Sequence, residues 1–326
     1  ATSAARERRL EMHNEIGWPP EHAPDGPLGK WLEGNDDWAI SPSRYWGTPL
    51  PFWRCDECAE VTVVASIPEL RERARGEVGE DFDPHRPYVD EVTISCDACG
   101  GPSRRVPEVL DVWYDSGAMP FAQLGYPQSG AQLDQGFPAD FISEALDQTR
   151  GWFYSLLAES TLLFDTTSYR NVVCLGLILD SEGQKMSKSK GNVVEPWAVL
   201  DTHGADAFRW YLLTAQTPGE SFRFSLDAVA EAKRRFLLTL WNTYSFLVGY
   251  ASLPDGWAPG DGAPPVTERP PIDRWALSRL DATVEEATEL LKAYDATTAG
   301  RRIETFVDDL SNWYVRALSL IHISEP

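Results

Sequence analysis

Basic residues are scarce in this 326-residue chain: 29 Lys and Arg stand against 50 Asp and Glu, a formal charge of −21. That excludes a histone-like or ribosomal-protein-like binder that holds nucleic acid by bulk charge. Long apolar runs are missing as well. No stretch approaches the roughly 20 uncharged residues of a membrane span, and the opening ATSAARERRLEMHNE has charges with no apolar core behind them, so it is no secretory signal. These absences predict a soluble, cytoplasmic protein with no membrane partner. Cysteine is limited to five residues, too few to staple a chain of this length by disulfides. An initiator Met is lacking and dense sequence begins at Ala1, which predicts that the chain was cut from something longer.

Apolar material for true cores is present. Hydrophobic residues make up 43% of the chain, with 13 Trp, 13 Phe and 11 Tyr, so disorder of the whole is excluded and the length suits about two domains. Residues 1–51, Pro-rich and with scattered Trp, are expected to form a packed connector. A nearly continuous apolar run, Asn171 to Leu179, follows a helical pattern within Glu144 to Phe164 and a short apolar stretch Ala139 to Ile142. Strand, helix, buried strand is the order of a doubly wound α/β fold. A polar loop from Asp180 to Asn192 leaves the last strand, where such folds hold ligands. Beyond His203 the pattern turns helical. Helices are expected over His203 to Thr214, over Leu226 to Tyr250 with Ser225 as N-cap, from Asp273 as N-cap through Leu291, and again around Ile303 to Trp313, with a Pro- and Gly-rich loop over 251–271.

Four of the five cysteines form two C-x-x-C pairs, Cys55/Cys58 and Cys96/Cys99, separated by 37 residues and with the second pair followed by Gly100 and Gly101. Each pair can turn two thiolates toward one ion, and four thiolates leave no open position, so the pattern predicts a structural Zn2+ site in a small module, 52–106. Cys174 sits in the apolar run and reads as a buried strand residue.

Lys185-Met186-Ser187-Lys188-Ser189 lies between Gly183 and Gly191 in the polar loop. A given pentapeptide turns up by chance on the order of once in 10,000 chains of this length, and a merely solvated basic loop would need no such context. The string is the KMSKS signature of class I aminoacyl-tRNA synthetases. With Asp111-Val112-Trp113-Tyr114-Asp115-Ser116-Gly117, Glu144-Ala145-Leu146-Asp147-Gln148-Thr149-Arg150-Gly151-Trp152-Phe153, Trp46-Gly47-Thr48-Pro49-Leu50-Pro51, His203-Gly204-Ala205-Asp206-Ala207 and Asp273-Arg274-Trp275, the chain resembles the second half of the isoleucyl-tRNA synthetases from about residue 15 to residue 317.

The resemblance implies an α/β class I (Rossmann-like) catalytic domain, second half only, over 107–225, carrying the zinc insert. A partial α-helical anticodon-binding bundle would follow over 226–317. It implies ATP with Mg2+, L-isoleucine and tRNA(Ile) as partners, and an absent N-terminal half of the same polypeptide that would hold the editing domain. Lys185 and Lys188 become the catalytic lysines, with Lys188 the principal ATP contact. Glu144 would hold the amino group of the isoleucyl adenylate, Asp147 and Gln148 the ribose side, Trp113 and Trp152 the walls of the side-chain pocket, and Gly176 would lie against adenine. The residue types suit these tasks, since an ammonium needs a carboxylate and a branched aliphatic chain needs a dry aromatic wall. Core packing is the competing use of the two tryptophans, and an ordinary cap or surface carboxylate that of Asp147.

The chain departs from the family pattern in several places. No HIGH-type signature occurs. Pro42 stands where relatives usually have Arg, Ala145 where they have Gly, and Leu175 where His is frequent before the adenine-side Gly. Residues 318–326, LSLIHISEP, replace an expected basic run and are predicted to be a non-native tail without packed structure. Lys233-Arg234-Arg235 and Arg301-Arg302 read either as a phosphate-facing stripe or as solvated helix faces. The alternative from a different class is a stand-alone, non-catalytic, zinc-containing RNA-binding protein derived from a synthetase; a valine- or leucine-specific relative is a further option.

Overall fold

The computed structural model describes residues 2–19, 26–34, 37–128, 133, 135–251, 262 and 264–318. Most of the predicted 251–271 loop lies outside the described residues, and so does the predicted tail except Leu318. The chain divides into two compact units: Ala1–Gly17, Asp25–Ile142 and Asp147–Asn171 form the first, and Trp18–Pro24, Ser143–Leu146 and Val172–Pro326 the second.

In the first unit, α1 (Arg6–Asn14) and α2 (Gly26–Glu33) occupy the connector. A four-stranded antiparallel sheet follows, in the order β2-β1-β4-β3, from β1 (Phe52–Cys55), β2 (Val61–Val63), β3 (Thr93–Ser95) and β4 (Pro102–Arg105). Its short strands alternate inward and outward. Trp53 is buried opposite Thr62 and Arg105, and it packs with Val64, Leu70, Val89 and Ile94 in one core. α3 (Ile67–Arg73) closes over the sheet, with its N-cap Ser66 accepting from the Glu69 amide at 3.2 Å. The Arg105 side chain is fully buried. It bonds Asp90, the Glu108 carbonyl at 2.8 Å and the Leu50 carbonyl at 3.3 Å, while Arg86 reaches the second oxygen of Asp90 at 2.8 Å. Burial alone would raise Asp90, but hydrogen bonds from Arg86 and Arg105 hold its carboxyl below the usual range.

Two helices complete this unit. α4 (Val112–Ala122) starts at the N-cap Asp111, which accepts from the Trp113 amide at 2.9 Å. α5 (Trp152–Phe164) is buried along most of its length, with Phe153, Leu156, Leu157 and Ala158 at 0% exposure. The helical pattern predicted from Glu144 to Phe164 is therefore split. A 3-10 turn covers Leu146–Arg150, and Gly151, at φ −136° and ψ −108°, breaks the chain before α5 begins.

In the second unit, β5 (Ile142–Ala145) pairs with β6 (Val172–Leu175), and β7 (Ile178–Leu179) pairs in parallel with β8 (Phe222–Arg223). The predicted run Asn171 to Leu179 thus serves two pairings, and Cys174 is buried within it. α6 (Pro196–His203) and α7 (Ala205–Thr214) meet at Gly204, whose φ of +87° permits the sharp join. α8 (Leu226–Ala232) is capped by Ser225, as expected from sequence, with 3.2 Å to the Ala228 amide. It runs through a π turn, Lys233–Leu238, into α9 (Thr239–Ala251). The turn carries Phe236 onto Trp210, ring centroids 3.7 Å apart.

α10 (Pro271–Lys292) and α11 (Ala296–Asp309), with a second π turn at Leu310–Val315, complete the helical part. Asp273 does not cap α10 as expected. The helix begins at Pro271, where proline's fixed φ already suits the first turn, and the Asp273 carboxylate instead accepts from the Tyr314 hydroxyl at 2.7 Å. The basic runs face acids: Arg234 pairs with Glu231, Arg235 with Glu304 at 2.7 Å and Arg302 with Glu286 at 3.3 Å. Among the described residues, no helix is long and apolar enough to cross a membrane.

Candidate active site and metal centre

The two C-x-x-C pairs form a pair of matching knuckles. In the first, Ala59 donates its amide to the Cys55 carbonyl at 3.1 Å and takes φ +62°; in the second, Gly100 does the same to Cys96 at 2.9 Å with φ +75°. The strand register of β1 against β4 brings them face to face. All four sulfurs lie within 4.8 Å of one another, with Cys55–Cys99 at 3.5 Å and Cys58–Cys96 at 3.6 Å. A tetrahedral ion with Zn–S bonds of about 2.3 Å requires S···S edges of about 3.8 Å, so the donor set fits zinc in both chemistry and spacing. Amides of Glu57 and Gly101 point at Cys55 and Cys99, each at 3.4 Å. Hydrogen bonds from the Cys58 and Glu57 amides pull the Cys55 thiol down to about 6, while, against the pull of their own amide donors, Cys58 and Cys99 are raised by the neighbouring sulfurs.

The first unit also gathers four of the residues expected around the amino acid and its adenylate. The Trp113 ring lies over Gly151, 2.9 Å from where a Cβ would stand, so only glycine admits it there. The Gln148 side chain bridges two neighbours: its oxygen accepts from the Trp152 amide at 3.1 Å, and its nitrogen donates to Asp147 at 3.1 Å. Asp147 is exposed. Trp152 is half-buried and donates its indole N–H to the Ser116 carbonyl at 3.0 Å, which ties α5 to α4. A cavity of about 330 Å³ opens beside this cluster, walled by Trp31, Trp38, Trp113 and Tyr154, with Arg150 and Asp37 at polar positions. Tyr154 forms its floor, edge-on to Trp31 at 4.5 Å, with its hydroxyl accepting from the buried Arg9 at 3.3 Å. Trp113 lines this cavity; Trp152 does not.

The second unit carries the remaining expected residues. Glu144 is exposed near the end of β5. At Gly176 a Cβ would overlap the Glu220 carbonyl and the Ser221 amide, so backbone approach by itself demands glycine here. Lys185 and Lys188 are exposed and enter no salt bridge among the described residues. Their loop is held at both ends. Asp180 Oδ1 accepts the amides of Glu182 and Gln184 at 3.0 and 2.7 Å, while its Oδ2 accepts from Asn192 Nδ2 at 2.7 Å. Asn192 in turn accepts the Ser187 amide at 2.9 Å. Hydrogen bonds from Asn192 and the Gln184 amide hold Asp180 below the usual carboxylate range. Met186 anchors the middle of the loop against the core of Val199, Tyr211, Phe224 and Val229. Sequence reasoning did not single out Asp180 or Asn192. The Asp180-Ser-Glu-Gly183 string is an Asx-turn signal that could have found the first.

Two family models match the chain: tRNA synthetases class I (I, L, M and V) over residues 2–225, and the anticodon-binding domain of tRNA ligase over residues 273–321. The chain is 53% identical over 320 residues to an isoleucine–tRNA ligase of Dehalococcoides mccartyi, covering 97% of this chain and 31% of that protein. It is 52% identical to the Deinococcus radiodurans isoleucine–tRNA ligase, covering 97% and 29%, and 51% identical to that of Thermus thermophilus, covering 95% and 30%. The chain thus spans about three tenths of the length of these curated relatives. Among solved structures, Mycobacterium tuberculosis methionyl-tRNA synthetase in complex with methionyl-adenylate superposes with a TM-score of 0.68 at 18% identity, covering 100% of this chain and 53% of that one. The Agrobacterium radiobacter LeuRS-tRNA-LeuAMS ternary complex gives 0.66 at 23%, covering 85% and 37%. With the KMSKS loop, the knuckle pair and a family model that matches residues 2–225 all in one chain, this protein belongs to the class I tRNA synthetases of the I, L, M and V group.

Proposed function

We propose that this chain is the later part of the catalytic domain, and the start of the anticodon-binding domain, of a cytoplasmic isoleucine–tRNA ligase that activates L-isoleucine with ATP and Mg2+ and transfers it to tRNA(Ile). The reading rests on identity of about one half, over nearly the whole chain, to proteins of that name. The observation that carries it in the structure is the Asp180–Asn192 loop, which presents two unpaired lysines on a backbone clamped at both ends.

In this reading the isoleucine carboxylate attacks the α-phosphorus of ATP and pyrophosphate leaves. Negative charge grows on the phosphate oxygens, and Lys188, with Lys185, meets it as a point charge on a flexible stem. Glu144 holds the substrate ammonium, Asp147 and Gln148 the ribose hydroxyls, and Gly176 lies at the adenine. Trp113 bounds the aliphatic side chain from the cavity wall, and Trp152, which lies outside that wall, supports it by bracing α5 against α4. Zn2+ on Cys55, Cys58, Cys96 and Cys99 stabilises the insert and takes no part in the reaction. The non-catalytic RNA-binding alternative loses ground because Arg234, Arg235 and Arg302 are paired with carboxylates and Arg301 donates to the Thr214 and Ala215 carbonyls.

The test is a chimera in which this chain replaces the matching segment of the Thermus thermophilus relative. Isoleucine-dependent ATP/pyrophosphate exchange is the expected activity. Lys188→Ala should slow it by about 2–4 kcal/mol of transition-state stabilisation with isoleucine binding retained. An unchanged rate would overturn the role of Lys188, and exchange that depends on valine or leucine would reassign the substrate.

A further inference from the structure

The contact between α4 and α5 contains a carboxyl group that no hydrogen bond accounts for. Trp152, Ser155 and Glu159 follow one another at steps of three and four along one face of α5, and all meet α4 at one place. Trp152 donates to the Ser116 carbonyl. The Ser155 backbone carbon and the Glu159 Cδ lie 3.0 and 2.9 Å from where a Cβ on Gly117 would stand. The Glu159 carboxyl therefore fills the space that the absent side chain of Gly117 leaves. Glu159 is 5% exposed, and among the described residues neither of its oxygens has a hydrogen-bond partner.

Among the described residues α1 brings the cations Arg6, Arg8, Arg9 and His13 to α5, but the one charge that acts on Glu159 is that of Asp115, of like sign. On α4, Asp115 has the same sign and Tyr114 is itself an acid, and burial together with Glu159 and Asp115 raises the Tyr114 hydroxyl. On α1, Arg9 is turned to Tyr154 and Arg8 to Asp165 at 2.5 Å. The side chains of the preceding 3-10 turn, Thr2–Ala5, carry no charge. Desolvation first, and then the field of Asp115, push Glu159 up to about 8. Trp113 stands one helical turn before Gly117 on the same side of α4.

We propose that Glu159 is a positioning residue, kept protonated in the α4–α5 seam, whose ionisation parts the two helices at Gly117 and draws Trp113 from its place on Gly151, so that the aromatic cavity loses its grip on an aliphatic amino-acid side chain. The functional half of this inference rests on the cavity wall being the isoleucine pocket; the buried acid does not. An ionised carboxylate cannot remain there without water or a donor, and its place against Gly117 puts that demand on the α4–α5 contact.

Infrared spectroscopy of the chain tests the acid directly. At about pH 7 a protonated-carboxyl carbonyl band should be present, vanish in Glu159→Gln, and bleach in the unsubstituted chain as pH rises through about 8. If the Gln variant does not fold, the bleaching still decides. No band at neutral pH overturns the proposal. In the Thermus chimera, the KM for isoleucine should rise about tenfold one pH unit above the midpoint, because only the protonated fraction binds, while the KM for ATP holds; Glu159→Gln should flatten the isoleucine profile. A flat profile alongside a titrating band overturns the positioning role. A chimera that shows no isoleucine-dependent exchange at any pH refutes the proposed function instead, and leaves the infrared titration to decide the acid.

Discussion

The knuckle module and the KMSKS loop put their chemistry to opposite ends. The module is closed: its four sulfurs face one another within 4.8 Å, its core is local, and its buried Arg105 is satisfied by Asp90 and two carbonyls. The loop is open: its backbone is clamped while Lys185 and Lys188 extend into solvent. A structural site completes its own coordination and so can be understood from one stretch of chain. A loop that serves nucleotide phosphates, as proposed for this one, would leave its charges uncommitted until the substrate arrives.

Removing one ligand should break the comparison most sharply. Cys96→Ser, or chelation of the intact protein, is expected to release about one zinc per chain and unfold the β1–β4 sheet, since metal affinity and folding energy are here the same quantity, of order 10 kcal/mol for such sites. Metal analysis and amide protection of Ile94 and Trp53 would check it, and a zinc-free protein with protection intact would show the cluster to be incidental. Next in size is Gly176→Ala, which drives a Cβ into the Glu220 carbonyl and should cost about 3 kcal/mol or part β7 from β8. Denaturant unfolding would measure it.

The loop clamp is a subtler target. Asn192→Ala should leave global stability nearly unchanged yet speed hydrogen exchange at Ser187, because that amide loses its acceptor. The carboxylate at the other end adds a pH dependence. The folded pKa of Asp180 is depressed, so its contribution is present above the ordinary carboxylate pKa and fades as pH falls through the folded value. Protection at Glu182 and Gln184 should fade in that acid range. Smallest, and of opposite sign, is Ala59→Gly. It relieves a left-handed alanine that the second knuckle avoids with Gly100, and should stabilise the module by up to about 1 kcal/mol.

What was legible in the sequence follows from how far apart the partners are. The cysteine pairs and the KMSKS string carry their meaning in local spacing, and Ser225 caps its helix from within three residues. Long-range contacts leave no such trace. Glu159 lies 42 residues beyond Gly117, and nothing beside it says that it will be buried there without a donor. Asp273 looked like a cap because caps are assigned from nearest neighbours, while its actual partner, Tyr314, is 41 residues away. The helical pattern from Glu144 failed for a different reason. The residues that carry the period, Trp152, Phe153, Leu156, Leu157 and Leu163, all lie beyond Gly151, so the signal belongs to α5 and says nothing of the strand and 3-10 turn before it.

The π turn at Lys233–Leu238 has a consequence for the chain's tolerance of change. A π turn is a helix that has accommodated one surplus residue, so the side chains after it are rotated by about 100° relative to an uninterrupted α-helix. Residues 226–232 and 239–251 therefore present their faces on different headings, set by a single inserted position. A one-residue deletion between Lys233 and Leu238 should leave the rod helical while turning α9 to a new heading and removing the Trp210–Phe236 stack, a frame shift in three dimensions with none in the reading frame.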